Sequence, residues 1–254
     1  MTVTQDFLWS LSVAIVSGTG SSQTVNVNGQ QVTVNAYEPQ QVVAVVYNNG
    51  VQVTQLTGNV ESVTLNGNDV TVTISFMDTS TNSYTATEID IVALYSNGSM
   101  TISRFTNMNI TKQQNSVLLI EYEIATSNSP SVFVSFALAY LVVPSILQLI
   151  NTFGFSAYPG IVLYQAQGVN GNQLSFNSFN LMKNGFYVDL TLSTYGGGVP
   201  TIYAYTSITS NGQPSPTIPC QQCLVFYATV PYYLPSFSTL TNLDIHFGIE
   251  FVAQ

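Results

Sequence analysis

Along most of the chain apolar and polar residues alternate, which puts every second side chain on one face of an extended strand. This pattern predicts strands near 42–48, 51–56, 60–66, 70–77, 88–95, 99–106 and 116–125. A second set follows near 161–165, 173–180, 186–194, 200–207, 223–229 and 245–252. Gly, Asn, Ser and Pro separate the strands, as turn chemistry requires. A further hairpin is expected over 24–34, turning at Asn28-Gly29. Two segments carry helical spacing instead. Residues 7–16 align Leu8, Leu11 and Ile15 on one face. Residues 144–153 align Ile146, Leu149, Ile150 and Phe153, with Pro144 at a first helical position and Gly154 as the stop. The apolar run 132–143 before it reads as a buried strand.

The two strand sets are related. A shift of 118 positions lays Gly50-Val51 on Gly168-Val169, Leu56 on Leu174 and Asn66-Gly67 on Asn184-Gly185. It also lays Val70, Thr73 and Ser75 on Val188, Thr191 and Ser193. With shifts, Ala93-Leu94-Tyr95 resembles Val225-Phe226-Tyr227, and the closing strand around Glu121-Tyr122-Glu123 resembles that around Gly248-Ile249-Glu250. The expectation is an all-β chain of two tandem antiparallel β-sandwich domains, jelly-roll-like, each with a short helix: 1–130 and 131–254. Jelly-roll and immunoglobulin-like strand orders share this signature. The first copy adds the 24–34 hairpin and the second a long loop over 207–223.

Charge changes the picture. Only 6% of residues are charged, with 3 Lys and Arg against 12 Asp and Glu, where an ordinary domain carries roughly 25%. Amides and hydroxyls supply the polarity, and their hydrogen bonding does not change in acid, where carboxylate pairs lose their charge. Exposure to an acidic exterior is the reading; a charge-poor secreted protein from a neutral habitat is the alternative. Three scattered cations make no phosphate-binding groove, so a nucleic-acid partner is not expected. Before the apolar stretch 7–16 stands only Asp6, not the basic start of a secretion signal. Synthesis in the cytoplasm is therefore expected. The uncharged run 132–150 has spanning length, but Pro144, Ser135, Ser145 and Gln148 interrupt it, so no membrane span is expected.

Candidates for chemistry are few. Glu88 and Asp90 share a strand face, as do Glu121 and Glu123, and paired carboxylates are the substance of acid proteases and glycosidases. Solvated acids on a half-exposed strand are the plainer reading. His246 is the single histidine and alternates to the outer face of the last strand. No catalytic residue, metal or cofactor is expected. Cys220-Gln221-Gln222-Cys223 follows Pro214, Pro216 and Pro219 and reads as a loop disulfide, two free thiols being the alternative. Asn97-Gly98-Ser99 and Asn109-Ile110-Thr111 match the N-glycosylation acceptor pattern, with plain turns as the alternative. Tyr203, Tyr205, Tyr227, Tyr232, Tyr233 and Phe237, beside Pro231 and Pro235, read either as subunit contacts or as core.

The stretch from Thr85 through Glu88-Ile89-Asp90 and Tyr95-Ser96-Asn97-Gly98, with Ile102, Phe105 and the strand over 117–124, resembles structural proteins of viruses that infect hot-acid archaea of the Sulfolobus type. That resemblance implies jelly-roll sandwiches, self-assembly with other virion proteins, and a capsid, penton or turret role at the virion surface without enzyme activity. The rival classes are an archaeal extracellular filament or pilus subunit, joined by strand donation, and an acid-stable secreted hydrolase.

Overall fold

Thr4 opens the first helix, α1 (Gln5–Ser17): its side-chain oxygen accepts the Phe7 amide at 3.3 Å, satisfying a donor that the first helical turn leaves free. Asp6 lies in that turn, where a negative charge suits the helix dipole. Gly18, at φ 93°, ends the helix. The structure, a computed structural model, describes residues 1–27, 29–129, 132–146, 161–167, 174–195, 201–206, 225–229 and 240–252. Around α1 lies an all-β fold dominated by one large antiparallel sheet, with smaller sheets and a second short helix.

The large sheet contains β1 (Thr2–Val3), β4 (Gln41–Asn48), β5 (Val51–Asn66), β6 (Asp69–Asp78), β8 (Glu88–Tyr95), β9 (Gly98–Phe105) and β11 (Leu118–Ala125), in the order β1-β9-β8-β4-β5-β6-β11. β4, β5 and β6 follow one another through tight turns, and β8 returns to lie beside β4, a Greek-key arrangement. β2 (Ser22–Val27) and β3 (Gln30–Asn35) form the expected hairpin. β7 (Tyr84–Ala86) and β10 (Ile110–Lys112) make another small pair.

One strand bends the sheet. The first part of β5 pairs with β4 and the remainder with β6: Thr57 lies opposite Val43, and Gly58 opposite Phe76. A Cβ on Gly58 would come within 2.7 Å of the Phe76 ring, 2.8 Å of Ile74 Cγ2 and 2.9 Å of the Val42 carbonyl. Only a bare glycine lets the two faces approach so closely at this corner. Beyond the corner a bulge between Val60 and Ser62 adds further bend. The sheet curls far enough that strands well apart in its order meet across the interior. The Tyr122 hydroxyl of β11 lies 2.8 Å from Ser103 Oγ of β9, and its ring meets Phe105 edge-on at 6.2 Å. Burial pushes the Tyr122 phenol up to about 12, against a small opposing effect of the Ser103 bond.

Helices fill the trough. α2 (Val132–Val142) packs on β6 and on α1, and α1 also packs on β9 and β3. Residues 134–143 of the α2 segment are buried throughout. The run expected as a strand is therefore a helix. With apolar residues on every side, broken only by Ser135 and the Tyr140 hydroxyl, it has no clear period, and an enclosed helix then reads like a core strand. Pro144 follows this helix closely, since the residue before a proline avoids helical geometry. Apart from the turn at 144–146, the helix expected over 144–153 lies outside the described residues.

The second half repeats the strand pairings of the first. β12 (Ile161–Gln167) pairs with β15 (Thr201–Thr206), and β15 with β16 (Val225–Thr229); β4, β8 and β9 pair in the same succession. β13 (Leu174–Met182) pairs with β14 (Gly185–Tyr195), and β14 with β17 (Leu240–Glu250), as β5 does with β6 and β6 with β11. By pairing, β15 stands for β8, so the likeness of 225–227 to 93–95 is displaced by one strand. The hairpins also match two positions away from the sequence match. Met182 and Gly185 close the second where Asn66 and Asp69 close the first, an offset of 116 rather than 118. The buried cores are not separate. Phe186 and Val188 belong to the same apolar cluster as Phe7 and Leu11, and the Trp9 indole donates to the Met182 carbonyl at 2.9 Å.

Candidate functional site

Strand β8 places Glu88 and Asp90 on one face, as their spacing requires. Directly opposite Asp90 in register is Arg104 of β9. Its Nε and a terminal nitrogen donate to the two Asp90 oxygens at 2.8 Å each, and Glu88 Oε1 stands 3.5 Å from Nε. Asp90 is buried, whereas the Arg104 side chain is half exposed. The Asp90 bond and charge, with Glu88 adding to them, raise the Arg104 pKa above its ordinary value. A general acid–base pair needs one carboxyl holding a proton and another free to take one. Here Asp90 is engaged in a bidentate pair with a cation, and the trio ties β8 to β9.

A second polar cluster is enclosed. Lys112, 2% exposed, donates to the carbonyls of Ser80 and Asn82 at 2.6 and 2.9 Å. Asp78, also buried, accepts the Tyr84 hydroxyl at 2.7 Å and the Ser80 amide at 2.8 Å. Burial alone would raise the Asp78 pKa, but these bonds and the Lys112 charge outweigh it and hold it below the usual aspartate value. Burial first, and then the same carboxylate, push the Tyr84 phenol far up. The cluster fastens the loop over 79–83. Lys112 and Asp78 were invisible as partners in the sequence; the only cue was a cation at an alternating position.

The outer face of β11 carries Glu121 and Glu123, exposed and opposite Ser75 and Thr73. Beyond Ser75, Glu61 of β5 accepts from the Ser75 hydroxyl and from Asn59 Nδ2 at 2.9 Å. Those bonds lower the Glu61 pKa. Toward the start of β11 the same face turns apolar: Val117, Leu119 and Met77 are 61%, 51% and 57% exposed, and Leu119 sits directly opposite Met77. Sequence reasoning missed this patch, because an alternating strand shows which residues share a face but not which face is open. A cleft of about 230 Å³ opens where the two edges of the curled sheet approach, between Val3 of β1 and Ile124 of β11, and Phe7, Leu11, Leu138 and Phe251 line it.

Other expected residues fall as follows. Asn97 sits in the two-residue loop of the β8–β9 hairpin, and Asn109 precedes β10; both are exposed. Tyr203 and Tyr205 lie in β15 and Tyr227 in β16, with Tyr203 directly opposite Tyr227. His246 of β17 stands opposite Asp189 of β14. Cys220, Cys223, Tyr232, Tyr233 and Phe237 lie outside the described residues. Among the described residues, no cluster of three or more His, Cys, Asp or Glu is placed to hold a metal, and no helix is long and apolar enough to cross a membrane.

Against known proteins the chain aligns over nearly its whole length with "Uncharacterized protein ORF246" of Acidianus filamentous virus 2 (isolate Italy/Pozzuoli). The two are 34% identical over 256 residues, covering 99% of each chain. The chain belongs to the family of that viral protein. No family model and no solved structure matches it. Kinship to a protein of an archaeal virus agrees with the resemblance that the β8–β11 region carries, at the level of an archaeal-virus protein with a curled β-sheet.

Proposed function

We propose that the protein is a structural component of a virus particle, whose copies associate with one another and with other virion proteins through sheet edges and aromatic loops. The observation that carries this is the kinship, over 99% of the chain, with a protein of a filamentous archaeal virus. Three features support it. The carboxylate pair best placed for chemistry is tied up by Arg104, so the reading assigns no catalytic role. The strand pairings recur in the second half, which favours tandem jelly-roll-like halves, 1–130 and 131–254, that share one core and of which the second lends α2 to the first sheet. The sheet also ends in an edge strand with an exposed apolar patch. In this reading the protein is made in the cytoplasm and later faces an acidic exterior. The filamentous form of the relative's virus favours a place in a helical coat or at a particle end over a penton. Tyr203, Tyr205, Tyr232, Tyr233 and Phe237 are the aromatic contacts it assigns.

Because that virus is filamentous, fibres formed by the purified protein would not separate a virion part from a pilus part. Particles that contain nucleic acid would. Immunogold electron microscopy of such particles, with quantitative mass spectrometry of their proteins, is expected to find the chain on the particle in many copies. Abundance in producing cells with absence from particles would overturn the proposal.

A further inference from the structure

We propose that β11 pairs with β11 of a second copy, antiparallel about a two-fold axis that passes beside Leu119. This deepens the assembly reading and rests on it. Among the described residues β11 has β6 on one side and no strand on the other. It is the longer of the two sheet edges, eight residues against the two of β1. Natural edge strands are protected by charge, and an unprotected edge is a template for another strand. β11 is protected over only half its length. Glu121 and Glu123 guard the end; Leu119, with Val117 before it and Met77 beside it, leaves the beginning open.

Charge placement fixes the register that two copies can share. Of the three cations in the chain, Arg104 is paired with Asp90 and Lys112 is buried. A second copy brings nothing basic to Glu121 or Glu123 unless Lys183 reaches them, so a stable register must keep these carboxylates apart. Pairing centred on Glu121 sets the two Glu121 residues face to face, and like charges directly opposite are destabilising. Centring on Leu119 sets Leu119 against its twin and Glu121 against the twin's Val117. Glu123 then falls opposite Asn115, in a turn where φ is 59° and the ladder has ended. The apolar halves meet and the acidic halves run past each other. One surface serves both partners, as an isologous two-fold contact requires, and a one-residue slip would point every side chain to the wrong face.

The test uses the full chain. With Cys220 and Cys223 replaced by serine, Leu119→Cys is expected to cross-link to its twin on mild oxidation, and Glu123→Cys is not. In the unaltered background, Leu119→Lys is expected to weaken self-association at least about tenfold by sedimentation, through opposed like charges, while Glu123→Lys leaves the dimer in place. Self-association that persists undiminished in Leu119→Lys, without a 119–119 cross-link, overturns this contact and leaves the wider assembly reading standing. A wild-type chain that stays monomeric up to its solubility limit, at neutral pH and at about pH 3, overturns the contact and counts against assembly as well.

Discussion

Replacing Gly58 with alanine adds one methyl group at the corner where β5 passes from one face of the curled sheet to the other. That methyl meets three atoms closer than 3.0 Å. Two belong to Phe76 and Ile74, both fully buried, so neither side chain has room to swing away. The third is the Val42 carbonyl, which moves only if β4 moves. Overpacking of a dense core costs about 1–3 kcal/mol, and three short contacts including backbone put this site at about 2–3. Alanine returns about 0.5–1 kcal/mol through the lower freedom of the unfolded chain. The net expectation is a loss of about 1–2.5 kcal/mol. For a chain of this size that lowers Tm by roughly 2–10 °C. Urea unfolding followed by far-ultraviolet circular dichroism measures it. Gly98→Ala is the matched control, since a methyl there meets nothing within 4 Å and should stay within about 0.5 kcal/mol of wild type. A Gly58→Ala protein as stable as that control would refute the claim that the corner demands glycine.

Other consequences follow from named contacts. Tyr122→Phe strands the Ser103 hydroxyl inside the trough and should cost about 1–2 kcal/mol; adding Ser103→Ala should cost less than the sum of the singles, as a double-mutant cycle would show. Asp78 has a lowered pKa in the fold, so it contributes stability above its unfolded pKa that is lost as pH falls through the folded value. Asp78→Asn should therefore be less stable at neutral pH and show a flatter acid limb below about pH 4, read from thermal unfolding against pH. Lys112→Met should free the loop over 79–83 while the main sheet holds, so limited proteolysis should cut there first. Trp9, the single tryptophan, is bonded to the Met182 carbonyl; Met182→Pro should bend that hairpin and red-shift its emission, and an unchanged spectrum would argue against the contact.

Much of the first half was legible because its strands are half-buried, and period two survives when one face is wet. The strands near 42–48, 70–77 and 88–95 stand almost where alternation put them. The segments near 51–56 and 60–66 are one strand, since Gly58 marks a bend in a continuing β5 and not a turn. The helix α2 was hidden by its own burial. The two-position difference between the sequence match and the hairpin ends has a related cause: an even slip keeps every side chain on its face, so apolar matching cannot detect it, and the likeness of Asn184-Gly185 to Asn66-Gly67 favours the offset of 118. In the candidate surface, the acids were visible as same-face pairs, but Arg104 and the openness around Leu119 depend on the curl of the sheet.

The bond from Trp9 to Met182 joins residues 173 positions apart. Helix α1 leaves the ribosome well before β12 and β14, yet it packs on both as well as on β9. At about 5–20 residues per second, its last partners arrive roughly ten to thirty seconds after it does. Through that interval the apolar face of the helix must wait half-covered, and contacts this distant in sequence are slow to close even once the chain is complete. The fold therefore finishes late in synthesis, so an assembly edge set by the finished curl of the sheet would mature only on completed chains.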